Sequence, residues 1–366
     1  MPSCAVKEKW RSKEEDVRHA TGDLRLATGD LRLRCIDLSS RSFVSRLMSH
    51  VSCLTSLVLL LLLLVGCGED EAKIRVGVCI PESVSPDLWL IEQAIKENAE
   101  KYTARIVQEK EGLAGLLDKG IDVLIINYPD PRELEYSVRE THRKSIPVVI
   151  LDCPPPRNLH VEASIRVNQF EAGKMAADYV AKKLGGKGNV ILLEGPRDDE
   201  TARQITLGMY SVLEQHDSIR IVAAEQHPGW DAKMAAETAR STLKKYADNI
   251  QAILAGSSQL AMGAVQAVRE RRLADKVITV GIGADLNACR AIIAGTHDAE
   301  VDMMPYERGL EALSVAVDVA EGVDFDYDQE MGEHDPKIKV KFGPLRMITR
   351  KNVSVMELAW PELVGK

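Results

Sequence analysis

The chain has 366 residues, with 47 Lys or Arg against 55 Asp or Glu and a formal charge of −8. That acidic balance excludes a protein built to grip nucleic acid through clustered cations. The seven cysteines and eight histidines are scattered, without the close spacing of a metal site or redox pair, so neither a metal nor any other cofactor is expected.

Residues 20–33 read ATGDLRLATGDLRL, a perfect tandem repeat. Solenoid repeats have longer periods and tolerate substitution, so a flawless short pair fits no packed fold. Residues 1–47 are therefore expected to be a non-native upstream extension or disordered, with translation starting at or near Met48. Leu54 to Val65 form an apolar run too short for the roughly 20 residues of a membrane span, and of the size of a signal-peptide core. Leu64-Val65-Gly66-Cys67 resembles a bacterial lipobox, and acidic sequence (Glu69-Asp70-Glu71) follows at once. In that resemblance 48–66 is a lipoprotein signal peptide, Cys67 carries the lipid as first residue of the mature chain, and 67–72 is an anchored linker. The plainer alternative is a short uncut anchor with Cys67 incidental. The signal lacks a basic start after Met48, although Arg46 and Arg41 lie just upstream.

Cutting at Cys67 leaves about 300 residues, enough for two domains with buried cores. The first 67 residues hold 10 basic and 7 acidic residues, leaving 37 and 48, a balance of −11. From Lys73 the chain alternates apolar runs with amphipathic stretches. Strands are expected at 74–80, 104–108, 122–128, 146–153, 189–195, 219–226, 252–256, 277–283 and 299–304. Helices are expected at 86–102, 131–144, 170–184, 200–215, 231–248, 260–271, 285–294 and 306–321. Most strand runs are β-branched and nearly continuous, as in a parallel sheet covered on both faces. Asn168 followed by Glu171 has the form of a capping box, and Gly185-Gly186 closes the same helix.

This alternation predicts an α/β fold of two lobes, each a parallel sheet flanked by helices, joined by crossovers. The break is expected near 154–164, where PPPRNLHVEAS interrupts the period. The expected lobes are 73–160 with 304–335, and 161–303 with 336–366. Gly322 to Asp335 is loop-like, and KIKVKF (337–342) and LRMITRKNVSVMEL (345–358) resume the order. Ligands of such proteins bind at strand carboxyl ends, so site residues should follow the strands. No GxSxG nucleophile turn occurs. GIGADLN (281–287) lacks a third glycine and sits late in the chain, and GGKG (185–188) precedes a strand rather than a helix, so neither is a phosphate loop. No enzyme activity is expected.

IDVLIINYPD (121–130), IPVVILDC (146–153), VNQFEAGKMAADYV (167–180), GGKGNVILLEGP (185–196), LAGSSQLAMGAVQAV (254–268), ITVGIGADLNACRAIIAGT (278–296) and LRMITRKNV (345–353) carry a family resemblance in the right order. Through them the mature chain resembles the type I periplasmic solute-binding proteins, most closely the ribose- and xylose-binding group. The resemblance implies capture of a sugar or sugar-like molecule between two lobes and its delivery to the permease of an ABC transporter. A receptor kinase is the alternative partner, and a nucleoside-like metabolite the alternative ligand. The resemblance also implies a monomer in the periplasm or at the cell surface, held to the membrane through the lipid on Cys67.

The resemblance further implies ligand contacts from Asn127, from Asp152 and from Trp230 as a stacking plane, with Trp89, Arg203, Ser257 and Asp285 as further candidates. Hydroxyls want carboxylates and amides, and a sugar ring's C–H face wants an aromatic plane. Several departures point to altered specificity. Cys153 stands where the family has the Arg of an Asp-Arg pair, and Ser257-Ser258 replaces Asn-Asp. Gly283 replaces an Asp, and Met303-Met304-Pro305 replaces a polar residue after the last strand of the lobe.

Overall fold

The structure is a computed structural model and describes residues 73–81, 85–108, 112–156, 158–332 and 337–363. The upstream extension, the signal and Cys67 lie outside the described residues. In chain order the first half runs β1 (Ile74–Cys79), α1 (Pro86–Asn98), β2 (Ala104–Val107), α2 (Leu113–Asp118), β3 (Val123–Ile126), α3 (Pro131–His142), β4 (Val148–Leu151) and β5 (Ala163–Arg166). It continues with α4 (Gln169–Leu184), β6 (Lys187–Glu194), α5 (Glu200–Leu213), β7 (Ser218–Gln226), α6 (Ala232–Lys245), β8 (Ala252–Ala255), α7 (Ser258–Glu270), β9 (Ile278–Ile282), α8 (Leu286–Ile293) and β10 (Ala299–Asp302). Last come α9 (Pro305–Glu321), β11 (Gln329–Met331), β12 (Ile338–Phe342) and β13 (Arg346–Thr349).

Two sheets result. The first has strand order β11-β12-β5-β4-β3-β1-β2 and the second β13-β10-β9-β8-β6-β7. Neighbours are parallel except at one edge of each, where β11 meets β12 and β10 meets β13 antiparallel. The continuous apolar runs are explained by burial on both faces: every residue of VLII in β3, VVIL in β4 and AILA in β8 is buried. On the first sheet α1 and α9 cover one face through Ile91, Ile95, Leu313 and Ala316. Residues of α2 and α3, among them Leu116, Leu134 and Val138, cover the other. The second sheet is clad likewise by α4 with α5 and by α6 with α7.

Glycine lets α4 and α5 approach closely. A Cβ at Gly173 would overlap the Ile205 carbonyl oxygen, and one at Gly208 that of Phe170. Asn168 caps α4 by accepting from the Glu171 amide at 3.1 Å, and Gly185 ends the helix at φ 59°. The Glu171 carboxylate turns outward to Lys174 instead of completing the reciprocal box.

The chain passes between the sheets three times. It leaves β5 for α4 at 167–168, β10 for α9 at 303–304, and β12 for β13 at 343–345. Two of the expected lobe limits are corrected by these crossings. The sequence pattern places residues 161–166 and 336–342 in the second lobe, yet β5 and β12 are members of the first sheet. The Pro-rich stretch 154–156 is a detour rather than a linker. The chain returns to pair β5 with β4 in register (Val149 with Ala163) and closes the turn through Asp152 N to the Ile165 carbonyl at 2.8 Å. β12 then joins β5 in parallel. Each crossing starts at the carboxyl end of a strand, so the carboxyl ends of the two sheets face the same crossover region.

Candidate ligand-binding site

Strands β3 and β4 of the first sheet are each followed by a polar residue. Asn127 follows β3 and is buried, its Nδ2 donating to the Leu151 carbonyl at 2.9 Å. Its Oδ1 has no hydrogen-bond partner among the described residues, which leaves an acceptor at the strand end. Asp152 follows β4 at φ 53°, a left-handed conformation that Asp tolerates better than most residues. Arg308 of α9 donates from Nε to Asp152 Oδ2 at 2.9 Å. The Tyr128 hydroxyl lies 3.2 Å from Cys79 Sγ, and burial pushes that phenol above its ordinary range.

Asp87, in the first turn of α1, belongs to the same charged group. Burial raises its carboxyl above the usual range, Arg308 pulls it back, and Asp152 and Asp302 push it up again. Asp302, at the end of β10, is buried and takes Arg346 Nη2 at 2.7 Å and the Met304 amide at 2.9 Å. Three carboxylates and two guanidiniums thus gather where the crossovers meet the strand ends.

In the second sheet the aromatic candidate is Trp230. It ends a short turn after β7 at φ 56°, half-buried. Its ring lies against Gly195 and Gly256, the residues just after β6 and β8. Any Cβ at Gly195 would overlap the ring, and one at Gly256 would lie 3.3 Å from Cζ3. Ser257, next in the chain to Gly256, and Asp285 are helix caps: Ser257 Oγ accepts from the Leu260 amide at 3.2 Å, and Asp285 Oδ1 from the Ala288 amide at 2.8 Å.

Beneath these turns runs a fully buried polar chain. Glu300 Oε2 accepts from Ser258 Oγ at 2.7 Å and from the Ala284 amide at 3.1 Å, while Oε1 lies 2.9 Å from His297 Nε2. His297 Nδ1 in turn meets Thr279 Oγ1 at 2.7 Å. The carboxylate holds the 283–285 turn and the start of α7 in one arrangement, and so positions Ser257 and Asp285. Among the described residues no group of His, Cys, Asp or Glu side chains is arranged to hold a metal ion.

The profile of the periplasmic binding protein domain matches residues 86–324. The chain belongs to the periplasmic binding protein family. The ribose import binding protein of Haemophilus influenzae is 26% identical over 284 residues, covering 75% of this chain and 94% of the relative. The D-xylose-binding periplasmic protein of Escherichia coli is 25% identical over 274 residues, covering 71% and 82%. Among solved structures, the arabinose-binding protein AraP of Geobacillus stearothermophilus superposes with a TM-score of 0.66 at 16% identity, covering 77% of this chain and 99% of that one. A solute-binding protein of Actinobacillus succinogenes with bound D-allose reaches 0.62 at 19% identity, covering 77% and 100%.

In this periplasmic binding protein five of the seven candidates lie at strand carboxyl ends: Asn127 and Asp152 in the first lobe, and Trp230, Ser257 and Asp285 in the second. Two do not join them. Trp89 is 50% exposed on α1. Arg203 is exposed on the first turn of α5, where it pairs with Glu200. The family resemblance placed Trp89 near the site, as an aromatic of the first strand-to-helix segment, two residues from Asp87 on α1. Arg308, Asp87, the Asp302–Arg346 pair and Glu300 were not anticipated. Arg308 sits in the hydrophilic-looking run PYERG, where only burial distinguishes it from a solvated arginine. Glu300 had one signal: it is an acid flanked by Ala299 and Val301 inside a strand run, AEVD.

Proposed function

We propose that this periplasmic binding protein captures a polyhydroxylated small molecule, a sugar or a cyclic polyol, between its lobes and presents it to the permease of an ABC transporter. The observation that carries this reading is the Trp230 ring, spread against two glycines at the ends of β6 and β8, with Asp152 and Arg308 at the opposing strand ends. An aromatic face stacks on a ring's C–H surface, and the charged pair takes its hydroxyls. Relatives named for ribose and xylose, and a structural neighbour with bound D-allose, support the ligand class. A tether through a lipid on Cys67 is part of the reading and rests on the lipobox-like LVGC. It predicts that the protein partitions with membranes and that Cys67→Ser releases it.

The ligand reading is tested by thermal unfolding against D-ribose, D-xylose, D-allose and myo-inositol. A ligand at 100 times its Kd adds about 2.7 kcal/mol, a shift of a few degrees. Trp230→Ala and Asp152→Ala should each abolish it. No shift with any of the four would sink the polyol reading. A receptor kinase as alternative partner has one supporting observation. The fructose-binding periplasmic domain of a hybrid two-component system superposes at TM-score 0.57 and 22% identity, covering 79% of this chain. Crosslinking in native membranes separates the two partners.

A further inference from the structure

Arg308 lies at the start of α9 with its side chain only 3% exposed. Two of its three nitrogens are committed: Nε to Asp152, and Nη1 to the Met303 carbonyl at 2.5 Å. Its stem runs against Gly343, where a Cβ would come within 3.1 Å of Cγ and Cδ. The guanidinium is therefore held by the β4 turn and by two crossovers, and has little freedom to swing away. Nη2 has no hydrogen bond among the described residues, and neither has Asp152 Oδ1. The other guanidinium of the cluster is spent, since Arg346 places both Nε and Nη2 on Asp302. The residue beside Asp152 supplies no charged donor either. Cys153 is buried in the apolar cluster under β4, and burial pushes its thiol up to about 11.

We propose that Arg308 is a specificity-determining residue of the site, its Nη2 and Asp152 Oδ1 forming a fixed donor–acceptor pair that recognises a vicinal diol. The proposal rests on the polyol reading and narrows it. One hydroxyl accepts from Nη2, and its neighbour donates to the carboxylate. Rigid mounting makes the pair selective: a ligand missing either hydroxyl leaves a charged group desolvated and unpaired. Lysine cannot substitute, since one ammonium cannot reach Asp152 and Met303 in a fork while projecting a third donor.

The test is calorimetric titration of the wild type, Arg308→Lys and Arg308→Met with D-ribose, D-allose and myo-inositol. Monodeoxy analogues of whichever binds are titrated alongside, and melting is followed separately. The wild type should prefer the parent over the analogue lacking the contacted hydroxyl by about 10- to 100-fold. Arg308→Met should weaken the parent by the same factor and bring that one ratio close to unity, leaving the other ratios unchanged. Arg308→Lys should fall between, and it decides the matter by the same ratio if the methionine variant does not fold. Equal weakening of the parent and every analogue, or no weakening, overturns the proposal and leaves Arg308 a packing residue, while the polyol reading stands. A wild type that binds none of the three sugars or polyols overturns both, and that result is distinct because it appears before any substitution.

Discussion

At the scale of single residues, the electrostatics of the site turn on acids that are buried unequally. Asp87 holds its proton more tightly in the folded chain than in the unfolded one, because burial disfavours its charge. Between the unfolded value near 3.8 and the higher folded one, the native state binds more protons. Stability therefore falls as pH rises through that window. Asp87→Asn removes the penalty, so its melting temperature should exceed that of the wild type at pH 7 and lose the advantage at pH 3. Glu300 has a partner on each of its oxygens, and its side chain is sealed from solvent. Glu300→Ala strands His297, Ser258 and the Ala284 amide, and should cost about 3 kcal/mol in urea unfolding. An unchanged midpoint would mean that the network is dispensable.

At the scale of elements, helix caps and close helix contacts determine how the binding turns are presented. Asp285→Ala removes the cap of α8 and should cost about 1 kcal/mol, together with a loss of affinity for any polyol that binds the wild type. The α4–α5 contact leaves no room for a methyl group. Gly173→Ala and Gly208→Ala should each destabilise by about 1–3 kcal/mol, read as a lower denaturation midpoint with an unchanged m-value. Most strands and helices were legible from pattern alone, because doubly covered parallel strands leave uninterrupted β-branched runs and their helices carry caps such as Asn168 and Gly185. Three elements were not. β5 has four residues (ASIR) behind a Pro-rich detour, α2 has six (LAGLLD), and β11 has three (QEM) inside the stretch 322–335 that reads as a loop, all too short for a period to register.

For the whole molecule, the three crossovers give the lobes a shared seam, and Arg308 bonds to one crossover and packs against another. Closure over a polyol that binds should shrink the radius of gyration in solution scattering, and Trp230→Ala should prevent the change. The thiols give an independent check on the packing. Burial pushes Cys153 up to about 11 and Cys289 up to about 12, so neither should react with a thiol reagent at pH 8 until the protein unfolds. Fast labelling of either would contradict the described core.

By itself the sequence determined the α/β class, the two-lobed plan, the order of most elements and the strand ends where a ligand would sit. These depend on local periodicity, caps and chain order, which are written along one dimension. It also carried the family resemblance, and with it seven candidate contacts, of which Asn127, Asp152, Trp230, Ser257 and Asp285 lie at strand carboxyl ends. Only the tertiary structure decided which lobe owns β5 and β12, since sheet membership is a contact between segments more than 170 residues apart, as in Ala163 with Lys339. It alone paired Asp152 with Arg308 across 156 positions, because burial of an arginine is a property of its surroundings. It also laid Trp230 across two glycines and left Trp89 half exposed on α1, a difference set by what the fold packs against each ring.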